Sequence, residues 1–382
     1  MGLDRAASID DLRRIARRRI PRFAFDLVDG GAESERNMRR NIEAFEEVTL
    51  TPRYMADVSR IDTRAEIFGR TYDAPFGQAP IGMLNAFWPG ADLILARLCA
   101  GENIPYVASS AASTTLERLA EAAQGNGWFQ LYVSGDPSVT EGLVARAEAA
   151  DYEVMMVTAD VPAAGKRDRD IRNQLAVPFR ITAEVLVQLM THPRWSFATL
   201  RHGKPSIANY ADLLQSATSY ADVQKTLITP GFTWEDLKRL RDRWPGKLLV
   251  KGILHPDDAL RCAELGCDGI VVSNHGGRQV AFGPPTVEAL PAIAEALGGR
   301  IRILLDSGVR RGADLLRARA LGADFTLAGR ALAFGAGAGG APGAKRAMEI
   351  LKLELLRALG QLGATSCAEV GPSFLSALSS HR

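Results

Sequence analysis

The chain predicts a closed parallel (β/α)8 barrel, and three observations predict it. Eight short apolar runs, at residues 76–80, 106–109, 128–133, 154–158, 248–251, 269–273, 301–306 and 325–328, have the length and composition of buried strands. Stretches of helical spacing lie between them, among them 91–100, 116–123, 139–149, 256–265, 287–297 and 313–321. Strand followed by helix, repeated eight times, favours a closed barrel over an open sheet. The runs also end in polar or conformationally special residues, as expected at the C-terminal mouth where such barrels carry their chemistry. One domain is expected over 1–382, a helical N-terminal segment leading into the barrel.

The composition excludes several classes. A formal net charge of +2 on 382 residues is not the footprint of a nucleic-acid binder. Cys99, Cys262, Cys267 and Cys367 show no CxxC spacing, so core thiols in a reducing compartment are expected and no metal site. The N-terminal stretch is polar from Asp4 and lacks the apolar segment of a secretory signal, which points to the cytoplasm. Arg13, Arg14, Arg17, Arg18, Arg19 and Arg22 fall on an expected first helix. They read as a solvated face, with a membrane-surface or acidic-partner patch as the alternative.

Taken in order, each strand delivers something to the mouth. The first ends in Pro80-Ile81-Gly82 and the second in Ser109-Ser110. The third carries Gln130 and Tyr132, the fourth Thr158 and then Asp160. A long insertion, 181–229, separates the fourth and fifth strands. His192-Pro193-Arg194-Trp195 interrupts its apolar start, so no stretch is long enough to span a bilayer. A lid, a subunit contact or a peripheral membrane contact through 181–200 is expected there.

The fifth strand ends in Lys251, a buried cation that needs an anionic partner; a Schiff-base lysine is the competing reading. Ser273-Asn274-His275-Gly276-Gly277-Arg278-Gln279 follows the sixth. Histidine exchanges a proton near neutral pH and arginine grips a carboxylate with two parallel bonds. Together they suit chemistry at a carbon next to a carboxylate. Asp160 is a candidate to orient His275 and stabilise its protonated form. The seventh and eighth strands end in Asp306-Ser307-Gly308-Val309-Arg310 and Gly329-Arg330, matching the phosphate cup of such barrels. Structural Asp–Arg pairing is the alternative. Gly335-Ala336-Gly337-Ala338-Gly339-Gly340 fits G-x-G-x-x-G but follows a helix-like stretch, so a flexible loop is expected, not a dinucleotide site.

These segments, with Asp29-Gly30-Gly31-Ala32-Glu33 and Trp128-Phe129-Gln130-Leu131-Tyr132, resemble the FMN-dependent α-hydroxy acid oxidase/dehydrogenase family. Trp88-Pro89, Arg241-Asp242-Arg243-Trp244-Pro245 and Asp306-Ser307-Gly308 are most similar to the mandelate dehydrogenase branch. The resemblance implies FMN as cofactor and an (S)-2-hydroxy acid, large or aromatic, as substrate. It implies His275 as base, Asp160 as its stabiliser, Arg167 and Arg278 as carboxylate ligands, and Tyr132 as a substrate hydrogen-bonder. Lys251 would stabilise reduced FMN. Pro80, Ile81, Gly82, Ser109, Gln130 and Thr158 would hold the flavin ring. Ser273, Asp306, Ser307, Gly308, Arg310, Gly329 and Arg330 would cover its ribityl and phosphate end. The acceptor, a quinone, a protein or oxygen, stays open, with a peroxide-forming oxidase or a repurposed FMN enzyme as the alternatives. A tetramer is expected by analogy only.

The chain departs from the family pattern at three places. Leu27 stands where most members carry a tyrosine that bonds the substrate carboxylate. Ala111 stands where several oxidases have tryptophan, leaving room for a ring. Val280-Ala281 replaces the usual Leu-Asp after Arg278-Gln279.

Overall fold

The computed structural model describes residues 2–173, 182–203, 205–211 and 227–376. Ile181, Lys204 and residues 212–226 of the insertion therefore lie outside the described residues. Among the described residues, eight parallel strands close a barrel: Phe76–Gln78, Tyr106–Ser109, Gly127–Leu131, Val154–Thr158, Lys247–Ile253, Gly269–Val272, Arg302–Leu305 and Phe325–Ala328. The last pairs with the first, Thr326 opposite Phe76 and Ala328 opposite Gln78, which closes the cylinder. Each strand falls within two residues of its expected position. Buried parallel strands are apolar on both faces, so their signal is an unbroken run that is hard to misplace.

The N-terminal end of the barrel is plugged. Tyr72, Trp128 and Phe325 meet edge-on or tilted at centroid separations of 5.9–6.4 Å, with Val154, Met156, Leu249 and Leu304 behind them. Tyr72 comes from an antiparallel hairpin, Ala65–Ile67 with Arg70–Tyr72, that the sequence reading did not anticipate. Ligand access is thus left to the opposite mouth.

The arginine run is split. Pro21 ends one helix, Ile9–Arg19, and Arg22 opens the next, Arg22–Asp29, so the six arginines do not share a helix. Arg13 is not simply solvated either, because it grips the buried Asp29.

The Gly335–Gly340 expectation is corrected. The run belongs to a buried helix, Arg330–Gly339. A Cβ at Gly335 would lie 2.6 Å from the Gly343 carbonyl, and one at Gly337 2.5 Å from the Phe87 ring. Glycine here serves close approach to the following helix, Ala341–Leu362, and to the ring, not chain flexibility.

The insertion contributes two described helices, Ala183–Thr191 and Pro193–His202, fixed to the body through Trp195. Trp195 is buried, packs edge-on against Phe23 at 5.8 Å, and donates its indole N–H to the Phe87 carbonyl at 2.9 Å. Among the described residues no helix is long and apolar enough to cross a membrane.

Candidate active site

The mouth is built on strand ends and on the loop after the sixth strand. His275 sits in that loop with φ +59°, followed by Gly276 and Gly277, also at positive φ. Ser307 Oγ accepts the Gly276 N–H at 2.8 Å and donates to Asp306 at 2.7 Å, so the seventh strand's turn pins the histidine loop. Ser273 Oγ accepts the His275 N–H at 3.1 Å. The N-terminal segment locks the loop from outside: Ala32 N–H bonds the Gly277 carbonyl at 2.8 Å, and Arg330 bonds Val28, Gly30 and Gly276 carbonyls at 2.7–2.8 Å.

His275 Nδ1 lies 3.0 Å from Asp160 Oδ1, and its Nε2 lies 3.2 Å from the Tyr132 hydroxyl. Asp160 packs against Gly252, where the fifth strand shifts register against the sixth. Gly252 has φ +104°, and a Cβ there would stand 2.4 Å from Asp160 Cβ, so any side chain would push the carboxylate away. Burial raises the Asp160 pKa, but His275 and Lys251 outweigh it and hold the carboxyl below its usual value. Burial holds His275 below the ordinary histidine value, with Lys251 and Arg278 adding to it and Asp160 opposing. The imidazole is therefore neutral near pH 7, with Nε2 turned to the mouth and the Nδ1 side held by a carboxylate.

Lys251 is 4% exposed, 2.8 Å from Ser273 Oγ and 3.2 Å from Asp306 Oδ2. Burial works against its charge, yet Asp306 and Asp160 keep the ammonium above its ordinary value. Lys251 is thus a buried ammonium favoured by two carboxylates, which weighs against the Schiff-base alternative because that chemistry needs a free amine. Across the second to fourth strands a polar relay is buried: Ser109 Oγ donates to Gln130 at 2.8 Å, and Gln130 Nε2 to Thr158 Oγ1 at 2.9 Å. Pro80, Ile81 and Gly82 follow the first strand, and Ala111 faces Gly82 so that a Cβ at 82 would lie 3.1 Å from Ala111 Cβ.

The sequence-predicted carboxylate clamp is only half poised. Arg167 touches Asp170 at 3.5 Å, while its buried Nε has no hydrogen-bond partner among the described residues. Arg278 donates to the Gly30 carbonyl at 2.7 Å. Leu27 is half-buried on the helix Arg22–Asp29.

At the phosphate-cup end, Arg310 donates to the Val309 carbonyl and stands 5.9 Å over the Phe334 ring. Burial pushes it down to about 10. Burial, and then the charges of Arg278 and Arg310, hold Arg330 well below its ordinary value. Among the described residues no carboxylate lies within 4 Å of either group. Gathered, part-buried cations held against their own charge call for an anion. A phosphate beside the first turn of the helix Arg330–Gly339, which Gly329 precedes, meets that demand. The buried Gln78 Oε1, unpartnered at the end of the first strand, is a further open acceptor. Gly308 is explained differently: at φ +107°, a Cβ there would lie 2.3 Å from the Asn41 carbonyl, so its demand is packing against the N-terminal segment.

Two features escaped the sequence reading. Arg169 joins Asp26, Asp29 and Glu35 at 3.0, 2.8 and 2.6 Å, tying the loop behind Arg167 to the N-terminal helices. Asp170, raised by burial, sits beside Arg167. The Arg169 grouping has no local motif, since its partners lie more than 130 residues away, whereas Asp170 is only three residues from Arg167. The spacing Arg167-Asp168-Arg169-Asp170 was the one available signal.

A carboxylate-held histidine, a buried lysine and part-buried arginines meet at the mouth of this parallel barrel, an arrangement suited to cofactor-dependent redox chemistry. The family model for FMN-dependent dehydrogenases matches residues 16–377, and the chain belongs to that family, with FMN as its cofactor and hydroxy acids as its substrates. It is 37% identical over 372 residues to (S)-mandelate dehydrogenase of Pseudomonas putida, covering 96% of this chain and 93% of the relative. It is 40% identical over 377 residues to a putative L-lactate dehydrogenase of Mycobacterium tuberculosis, covering 98% and 90%. Among solved structures, the monotopic membrane protein (S)-mandelate dehydrogenase superposes with a TM-score of 0.92 at 36% identity, covering 97% and 99% of the two chains.

Proposed function

We propose that this enzyme oxidises a large or aromatic (S)-2-hydroxy acid to its 2-oxo acid and passes the electrons to a membrane-associated acceptor. The observation that carries the reading is the Asp160–His275–Tyr132 chain, with His275 Nε2 at the mouth and the Nδ1 side occupied by a carboxylate. His275 takes the proton as the α-carbon is oxidised, and Asp160 stabilises the imidazolium that results. Arg167, through its open Nε, and Arg278 hold the substrate carboxylate; Tyr132 hydrogen-bonds the substrate. FMN, when bound, would supply the two-electron acceptor, and Lys251 would place a buried cation beside it.

Pro80, Ile81, Gly82, Ser109, Gln130 and Thr158 hold the ring end of the cofactor. Ser273, Asp306, Ser307, Arg310, Gly329 and Arg330 would serve the ribityl and phosphate end, Gly308 being set by its packing against Asn41. The whole chain acts as one FMN-binding unit, with the 181–229 insertion as its docking segment.

Substrate size rests on Leu27, which offers no hydroxyl to a small acid, and on Ala111 facing Gly82. Resemblance to mandelate dehydrogenase supports the aromatic reading. Membrane contact rests on Leu186, Val187, Met190, Phe197 and Leu200, 50–83% exposed on the insertion helices, and on the monotopic relative.

The test is an anaerobic titration of the yellow protein with 2-hydroxy acids from glycolate to both mandelate enantiomers. (S)-Mandelate should bleach the flavin at the lowest concentration, and readmitted air should restore colour slowly. His275→Ala should keep its flavin and lose bleaching. Bleaching that survives in that variant removes His275 as the base.

A further inference from the structure

We propose that the cavity between the N-terminal helices and the insertion is a binding site for the phosphate head group of an anionic phospholipid. The inference rests on the membrane-contact reading above and gives it a specific ligand. The cavity encloses about 560 Å³. It is lined by five arginines, Arg13, Arg17, Arg22, Arg169 and Arg172, with the carboxylates Asp26 and Asp29 and the buried pair Ile20 and Phe25. Gln188 and His192 of the insertion close the third side.

The charges divide into two sets. Arg13 and Arg169 are committed to Asp29, Asp26 and Glu35 at 2.5–3.0 Å and serve as framework. Arg17, Arg22 and Arg172 are not so held. Among the described residues no carboxylate lies within 4 Å of Arg17. Arg22 reaches Asp26 only at 3.5 Å, an oxygen that also accepts from Asn173. Arg172 reaches Asp168 at 3.4 Å with its own side chain two-thirds exposed. Three largely exposed guanidiniums therefore line a cavity whose carboxylates, Asp26 and Asp29, are already bound by Arg13 and Arg169.

The placement of the insertion helix selects a lipid over free phosphate. On the helix Ala183–Thr191, Gln188 faces the cavity. At roughly 100° per residue, Leu186 and Met190 stand about 160° round from it, and both are exposed. An interfacial helix sinks its apolar face some 5–10 Å below the head groups. Its opposite face, and the cavity behind it, then lie at the level of the lipid phosphates. The apolar floor at Ile20 and Phe25 suits the glycerol and first methylenes better than it suits a hydrated inorganic ion.

The experiment is vesicle flotation of the holoenzyme with phosphatidylcholine alone and with phosphatidylcholine containing phosphatidylglycerol. The wild type should bind the anionic vesicles at least tenfold more tightly. Arg17→Glu/Arg172→Glu should lose that preference while keeping its affinity for neutral vesicles. Arg18→Glu/Arg36→Glu, an equal charge change outside the cavity, should keep most of it. Substrate-driven bleaching should be unchanged in both double variants, which shows that they fold. Equal loss in both pairs means diffuse surface attraction and overturns the site, as does full retention in Arg17→Glu/Arg172→Glu. Inorganic phosphate competing at millimolar concentration as well as the vesicles do would overturn the lipid assignment. No binding to any vesicle defeats the membrane contact itself, and the inference with it, while leaving the hydroxy-acid chemistry to be judged by bleaching.

Discussion

Asp160→Asn isolates the charge at the centre of the site. The asparagine carbonyl can still accept from His275 Nδ1, so the ring orientation survives and only the charge is lost. Asp160 and His275 are 3.0 Å apart. Two unit charges at that distance interact by roughly 5 kcal/mol at an effective dielectric of about 20. Lys251 also draws on this carboxylate, so about 3–5 kcal/mol of imidazolium stabilisation should disappear, or roughly 10²- to 10⁴-fold in rate. The assay is anaerobic stopped-flow bleaching at saturating substrate across pH. In the wild type the base form should persist below the ordinary histidine value of 6.5, because burial lowers His275. Asp160 opposes that lowering, so Asp160→Asn should move the acid limb further down while reducing the plateau. The stability sign agrees. Between the lowered folded value and the ordinary one the unfolded chain binds the extra proton, so this histidine costs stability as pH falls through that window. A plateau within threefold of wild type, or an acid limb that moves up, would refute the charge argument.

Three further outcomes are expected. Arg310→Met should weaken FMN binding at least tenfold by fluorescence titration yet barely lower the melting temperature of the apoprotein, because a buried guanidinium held down to about 10 contributes little without its anion. Gly308→Ala should cost about 3 kcal/mol or more in urea unfolding, from a Cβ 2.3 Å from the Asn41 carbonyl at φ +107°; a cost under 1 kcal/mol would show that the loop relaxes freely. Leu27→Tyr should improve kcat/KM for lactate by about one to two powers of ten relative to mandelate, since a hydrogen bond to a charged group is worth roughly 1.5–3 kcal/mol. Unchanged ratios would remove position 27 from substrate selection.

What the sequence disclosed follows from which interactions are local. Leu249-Val250-Lys251 announces itself because a buried parallel strand needs consecutive apolar residues, and a charge at its end is conspicuous. His275 and Arg278 share one short loop and so appear together. The hairpin at 65–72 stayed hidden because its strands are only three residues long, with Glu66 and Thr71 facing solvent. The Gly335 run misled because glycine signals freedom when read alone and close approach when a second helix is present. That Arg330 would spend its donors on Val28, Gly30 and Gly276 has no trace in its neighbours, since Val28 is 302 residues away.

That last distance bears on how the chain is made. Val28, Gly30 and Ala32 complete their hydrogen bonds only with residues at 276–278 and 330. On the ribosome the arginine-rich first helix emerges early, and the surfaces that Val28 and Gly30 need arrive only near the end of synthesis. Until then the buried Phe25 can meet Phe87 but lacks Phe334, its other ring partner. The opening segment cannot be fully seated until those residues are made, and the loop carrying His275 is locked by the same late contacts.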